Sequence, residues 1–323
     1  MWDMARLFVE YAGDIFIDEG AYAIMRWAMM YAQTHGVTIR TFRHYDVEAL
    51  ETALKSHTSG TKMPVVVCDG FCPECGQVAP LQSFLLSLRK KGGWLLIDDT
   101  QAMGILGEAH TAKAPYGFGG GGSLKWQNIN DPFVVSVFSC AKAFGAPVAA
   151  ICGSNHFIEK IDSASLTRVH CSPVSMASIR AVQNALHINH KEGNMLRTRL
   201  LKNVHCFRQT LLHTGIRARG GLFPVQSLML PDRSSAHLLW KLLSNNGVRS
   251  VMLQRTNNRA ALCFLLSSQF EESDIERAAR LIAMLWHKII NNNTLTCFTR
   301  SVPARQVRSI EQGVRAYTFG ERS

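Results

Sequence analysis

Two apolar runs that each break off into a chemically active side chain constrain this sequence more than any other feature. The first, Trp94-Leu95-Leu96-Ile97, ends in Asp98-Asp99. The second, Val134-Val135-Ser136-Val137-Phe138, ends in Ser139-Cys140-Ala141 and a lone Lys142. Short apolar runs without polar alternation suit strands covered on both faces, as in a parallel sheet. The C-terminal ends of such strands open onto the ligand crevice of an α/β fold.

The surrounding pattern supports that class. Residues 14–17 and 37–42 read as short strands around a helix at 22–33. Residues 46–55 read as a helix with its acids early, 63–69 as a buried strand ending in a turn, and 81–90 as an amphipathic helix with a basic end. This alternation predicts an α/β chain with a mostly parallel sheet. A strand at 147–152 and a long helix at about 175–212, broken at Gly193, come next. Strands at 223–230, 249–253 and 260–266, with helices at 234–245 and 271–290, predict a smaller α+β domain. The expected division is a large domain at 1–190, a small C-terminal α+β domain at 191–290 and a loose tail at 291–323.

Composition narrows the function classes. The chain is 47% hydrophobic and 18% charged, as a folded globular chain is. No apolar run approaches the ~20 residues of a membrane span, and no basic segment leads into a signal-type stretch. A cytoplasmic protein with no membrane partner is expected. The net charge of +11 raises nucleic acid as a ligand. The positive residues are spread thinly, however, and become dense only in the tail, from Arg300 to Arg322. With no recognisable nucleic-acid module, no such partner is expected.

Nine cysteines are scattered along the chain. Cys68, Cys152 and Cys263 lie in apolar runs, which predicts buried reduced thiols rather than a disulfide framework. Cys72-Pro73-Glu74-Cys75 is the one CxxC segment. A structural zinc site usually takes a second cysteine pair, and none stands at a suitable spacing. The segment therefore reads as a turn with two incidental cysteines, and no metal is expected. The glycine-rich stretch 117–123 lacks the strand before and the helix after that a phosphate cradle requires. It reads as a flexible surface loop, with a lid as its functional alternative.

An aspartate and a lysine at neighbouring strand ends are what pyridoxal phosphate (PLP) needs. The amine condenses with its aldehyde, and the carboxylate keeps its pyridine nitrogen protonated, so that the ring absorbs electrons from a substrate carbanion. Four segments carry a resemblance that points the same way. They are Val66-Val67-Cys68-Asp69-Gly70, Gly76-Gln77-Val78-Ala79-Pro80-Leu81, Ile97-Asp98-Asp99 with Met103-Gly104-Ile105-Leu106-Gly107, and Ser139-Cys140-Ala141-Lys142-Ala143-Phe144-Gly145. In this order and spacing, over roughly residues 10–290, the chain resembles the α-oxoamine synthase branch of the fold-type I PLP-dependent enzymes.

The resemblance implies a fold-type I PLP-dependent transferase fold, with PLP as cofactor and Lys142 as the lysine that binds it. It places Asp98 at the pyridine nitrogen and Ser139 at the phosphate. Tyr22 falls where the family has a histidine stacked on the ring, a role an aromatic tyrosine can fill. An ordinary half-buried aromatic is the alternative there. Gln101 stands where the family has a histidine near the phenolic oxygen; it donates a hydrogen bond but cannot titrate.

Other positions depart from the family. The substrate-carboxylate arginine is missing from Ala260-Ala261-Leu262-Cys263-Phe264, with Arg255 and Arg259 nearby, and Pro73 stands for a serine. The chain begins where the family's large domain is already under way. That domain is therefore expected to be incomplete at its N-terminus, without the glycine-containing turn and helix start that grip the phosphate. The implied activity is acyl-CoA:amino acid C-acyl transfer on an amino acid and an acyl-CoA, by a homodimer or a heterodimer with a related subunit. An aminotransferase, or a degenerate non-catalytic subunit, uses the same fold.

Overall fold

The computed structural model describes residues 1–57, 62–254 and 258–291. The tail expected beyond residue 291 and Arg255 lie outside the described residues. The chain opens with α1 (Trp2–Tyr11), β1 (Ala12–Asp18), α2 (Ala23–Thr34), β2 (Thr38–Phe42), α3 (Val47–Lys55) and β3 (Met63–Asp69). A short pair, β4 (Phe71–Cys72) and β5 (Gln77–Val78), precedes α4 (Leu81–Arg89), β6 (Trp94–Asp98), α5 (Gly122–Trp126), β7 (Val134–Ser139) and β8 (Ala149–Cys152). Then come α6 (Asn155–Ala164), α7 (Leu166–His170), α8 (Met176–Leu212), β9 (Val225–Leu230), α9 (Arg233–Asn245), β10 (Val251–Gln254), β11 (Ala260–Leu265) and α10 (Glu272–Asn291). The chain divides into two compact units. One comprises Met1–His205, Arg219–Gln226 and Leu266–Phe270; the other comprises Cys206–Ala218, Ser227–Leu265 and the chain from Glu271 on.

The first unit is built on a six-stranded sheet in the order β2-β1-β3-β6-β7-β8. Every neighbouring pair is parallel except β7 with β8. Successive side chains of a strand point to opposite faces, and here both faces are covered. Ile15, Ile17, Val65, Val67, Leu96, Val135 and Val137 pack with Met4 and Phe8 of α1, Met25 and Met29 of α2, and Phe157 of α6. Phe16, Val66, Cys68, Leu95 and Ile97 pack on the other side with Leu50 and Leu54 of α3 and Phe84 and Leu88 of α4. Double coverage is why these strands read as unbroken apolar runs.

The strand order reverses at β1. From β1 the chain steps to β2 on one side, and β3 then pairs on the other side. The intervening helices α2 and α3 accordingly lie on opposite faces. A crevice outside the carboxyl ends of the strands opens at such a reversal.

In the second unit the three-stranded sheet has the order β10-β11-β9, with β10 and β11 antiparallel. Leu239 and Leu243 of α9, Ala279 and Ile282 of α10, and Ala260, Ala261 and Leu262 of β11 are all buried.

Several expectations need correction. Helix α8 runs unbroken through Gly193. A Cβ at that position would lie 2.6 Å from Asn189 Oδ1 and within about 3 Å of the Arg197 guanidinium, so the glycine makes room for an Asn189–Arg197 hydrogen bond rather than ending the helix. Residues 117–123 are not a loose surface loop. Gly117, Gly120, Gly122 and Ser123 are buried, and α5 starts within the segment. Cys152 is exposed, on an edge strand, while Cys68 and Cys263 are buried as expected.

Candidate active site

The C-terminal edge of the first unit's sheet carries a row of acids. Asp18 closes β1, Asp69 closes β3 and Asp98 closes β6. Asp69 and Asp98 are direct register partners, and Asp98 lies beside Val137 of β7. The half-buried Asp98 is oriented by the Thr100 backbone N–H, which donates to its Oδ1 at 2.9 Å.

Thr100 in turn joins the ends of β6 and β7, because its Oγ1 accepts the Ser139 N–H at 3.0 Å. Ser139 Oγ accepts the Ala141 N–H at 3.2 Å, which shapes the start of the β7–β8 connection. That connection is closed by Cys140 N–H donating to Val148 O at 2.7 Å and Ala146 N–H donating to Cys140 O at 3.1 Å. Lys142 sits in it, exposed. The expectation of a lysine at a buried strand end is therefore corrected: β7 ends before Lys142, and the side chain is not desolvated by the described residues. Its neighbour Ala143 nonetheless lies against the turn after β6. A Cβ built on Gly104 would stand 2.6 Å from Ala143 Cβ, so the two turns touch.

Gln101 is half-buried in the turn that follows Asp98. Tyr22 is the N-cap residue of α2 and 61% exposed, so its side chain is more open than a half-buried packing residue. Its backbone N–H donates to Asp69 Oδ1 at 3.1 Å, which ties the start of α2 to the strand end next to Asp98. Asp98, Gln101, Ser139 and the Lys142 turn thus meet at the β6–β7 ends, with Tyr22 joined through Asp69. Among the described residues no hydrogen bond or ion pair joins the Lys142 amine to Asp98.

Crowded carboxylates shape the local electrostatics. Burial pushes the Asp69 carboxyl up to about 7; the Tyr22 N–H opposes this, Asp98 and Asp18 add to it, and Arg26 offsets part. Burial also raises Asp99 to about 6, against two hydrogen bonds from Ser123 and with repulsion from Asp98. Asp99 receives Ser123 N–H at 2.9 Å and Ser123 Oγ–H at 2.6 Å, so it caps α5 from a distant position.

Two of these groups, Thr100 and Arg197, have no expected role in the sequence, and Asp69 falls in the segment Val66-Val67-Cys68-Asp69-Gly70 without a role of its own. Arg197 comes from the middle of α8 and donates to Gly104 O at 3.0 Å and Asn189 Oδ1 at 2.7 Å, holding the turn that faces Ala143. Only its place opposite a glycine-rich turn could have flagged it.

Known proteins resemble the chain in sequence and in fold. The profile of the family "Aminotransferase class I and II" matches residues 5–279. An 8-amino-7-oxononanoate synthase of Ralstonia pickettii is 26% identical over 252 residues, covering 76% of this chain and 58% of that protein. The Geobacter sulfurreducens protein of the same name is 25% identical over 248 residues, covering 76% of this chain and 61% of that one. The chain thus spans about three fifths of the length of these curated relatives. Among solved structures, a serine palmitoyltransferase from S. paucimobilis with PLP and myriocin bound superimposes with a TM-score of 0.75 at 17% identity, over 89% of this chain and 71% of that one. An 8-amino-7-oxononanoate synthase from Francisella tularensis superimposes with a TM-score of 0.68 at 19% identity, over 87% and 78%. With the family profile covering most of its length, the chain belongs to the aminotransferase class I and II family, in the α-oxoamine synthase branch, and has the fold of the fold-type I PLP-dependent enzymes.

Proposed function

We propose that this chain is a PLP-dependent transferase that joins an acyl group from an acyl-CoA to an amino acid. The observation that carries the reading is the meeting of Asp98 with the Ser139–Lys142 turn at the ends of two hydrogen-bonded parallel strands. The donor set suits the cofactor: a carboxylate for a ring nitrogen, a primary amine for an aldehyde, a hydroxyl and an amide for oxygens, and an open aromatic ring at the start of α2.

PLP, when bound, supplies an electron sink for a carbanion at the substrate α-carbon. Asp98 would hold the ring nitrogen and its proton, kept in place by the Thr100 N–H. Ser139 Oγ already accepts the Ala141 N–H, which leaves its own proton for a phosphate oxygen. Gln101 would donate to the phenolic oxygen without exchanging a proton there. Lys142 Nζ is the anchoring amine and the base for the α-proton. Lys142 is exposed in the described chain, so burial of this amine would come from the bound ligands or from a second copy of the chain.

The exposure of Lys142 and the glutamine at position 101 favour a second reading, a non-catalytic subunit on the same fold. One experiment separates the two. The chain is incubated with PLP, reduced with borohydride and mapped by peptide mass. The enzyme reading expects label on Lys142, and loss of label and of PLP absorbance in Lys142→Ala. Label spread over several surface lysines, with Lys142→Ala unchanged, removes Lys142 from the chemistry and leaves the subunit reading.

A further inference from the structure

The CxxC segment does not sit alone in the fold. It forms the turn between β4 and β5, at the reversal point of strand order, and His44 from the end of β2 reaches it. The ligating atoms of His44, Cys72 and Cys75 all lie within 4.8 Å of one another. His44 Nε2 is 3.6 Å from Cys75 Sγ. In a tetrahedral zinc site, with bonds of about 2.3 Å to sulfur and about 2.0–2.1 Å to nitrogen, the nitrogen–sulfur edge comes to about 3.6 Å.

The surroundings are those of a built site. Cys75 N–H points at Cys72 Sγ at 3.5 Å, and Gly76 N–H donates to Cys72 O at 2.9 Å. The chain reverses through Gly76 at φ 72°, where a Cβ would also collide with the Gly220 backbone at 2.6 Å. This turn brings two sulfurs to one side with a backbone donor on the buried one. His44 is fixed as firmly: its Nδ1 lies 2.6 Å from Oδ1 of the fully buried Asp18, which also accepts Gly20 N–H at 2.7 Å and, through Oδ2, Tyr45 N–H at 2.8 Å. Since a carboxylate oxygen accepts there, Nδ1 carries the proton and the Nε2 lone pair faces the sulfurs. A carboxylate behind a histidine is the outer-shell arrangement that orients metal-bound imidazoles. Tyr45 itself is held at φ 55°, a conformation that bulky residues rarely adopt.

We propose that His44, Cys72 and Cys75 bind one zinc ion, with the fourth coordination position open to a cleft. That cleft has a volume of about 620 Å³ and is lined also by Glu19, Glu74 and Arg219. Two thiolates and an imidazole select zinc over hard cations, and three protein ligands leave one place for water. Sequence spacing alone does not mark this site, because no second cysteine pair accompanies Cys72 and Cys75; the third ligand is a histidine on a different crossover. The proposal is independent of the transferase reading, since neither Lys142 nor Asp98 takes part.

The test uses cobalt as the probe. The full chain is reduced with a phosphine, stripped with chelator and titrated with Co²⁺. One equivalent should give thiolate-to-cobalt charge transfer and the visible bands of a four-coordinate site, and one equivalent of Zn²⁺ should bleach both. Asp18→Asn should weaken binding by about 10–100-fold, as outer-shell changes do, and Cys75→Ser by more. Cys206→Ser, at the other cluster of ligand-type residues, should change nothing. Cys75 is exposed, so its replacement is compatible with folding, which circular dichroism checks. Zn²⁺ should also raise the thermal midpoint of the wild-type chain and not that of Cys75→Ser. A folded Cys75→Ser with the same cobalt spectrum, or no charge-transfer band in the wild type, would overturn the site and leave a thiol–imidazole hydrogen bond in its place.

Discussion

At the scale of single residues, Asp99 shows how a side chain next to a site serves the scaffold. It is 1% exposed and spends both oxygens on Ser123. Its folded pKa, about 6, lies above the ordinary 3.8. For an acid raised in the folded state, the extra proton is held by the folded chain between those two values. Its contribution to stability is therefore full below about pH 4 and is lost as pH rises through 6. Asp69, raised to about 7, extends the same trend to neutrality. Urea unfolding between pH 4 and 8 should show stability falling with pH across this window on account of the two groups. Asp99→Asn should flatten the part below pH 6 and keep its bonds, because the Ser123 hydroxyl can rotate to accept. Asp99→Ala should lose about 1–3 kcal/mol at every pH by leaving buried donors unpaired. Sequence reading reached Asp98 because an apolar run stops there. It could separate Asp98 from Asp99 only by strand position, and it had no signal for Ser123 as the partner.

At the scale of elements, the central parallel strands β1, β3, β6 and β7 were legible because both of their faces are covered, and every strand of the first sheet falls close to its expected place. The short loops were less legible, since their packing depends on contacts far along the chain. The stretch 117–123 is the clearest instance. Its glycines predict freedom, yet Gly122 is held at φ 85° with a would-be Cβ 2.0 Å from Asp99 Oδ2. Gly122→Ala should thus cost about 1–3 kcal/mol through backbone strain and overpacking, read as a lower thermal midpoint. A midpoint equal to that of the wild type would mean the segment is loose after all. Helix α1 was missed for a different reason: its apolar face, with Met4, Leu7 and Phe8 buried, is short and has no side-chain cap at its start. The lysine turn was found by motif, but its exposure was not, because an apolar run does not reveal where its strand ends.

At the scale of the whole molecule, large apolar side chains remain in the open on α2 and on the first half of α8. Ile24, Trp27 and Met30 are exposed on one, and Met176, Ile179, Leu186 and Ile188 on the other. Several large apolar side chains exposed along one helix mark a candidate interaction face. A second copy of the chain is the proposed occupant, and Trp27→Glu should shift sedimentation toward the monomer; unchanged sedimentation would place the contact elsewhere. Among the described residues no helix is long and apolar enough to cross a membrane, so lipid is not covering these faces by way of a spanning helix. The row of acids at the sheet edge has its own consequence for binding heats. Asp69 holds a proton for part of the time near neutrality because burial, reinforced by Asp98 and Asp18, disfavours its charge. Any cation that settles beside Asp98 relieves that repulsion and expels the proton into the buffer. The measured enthalpy of such a binding event should then vary with the ionisation enthalpy of the buffer chosen, and the slope of that variation counts the protons the acid row gives up.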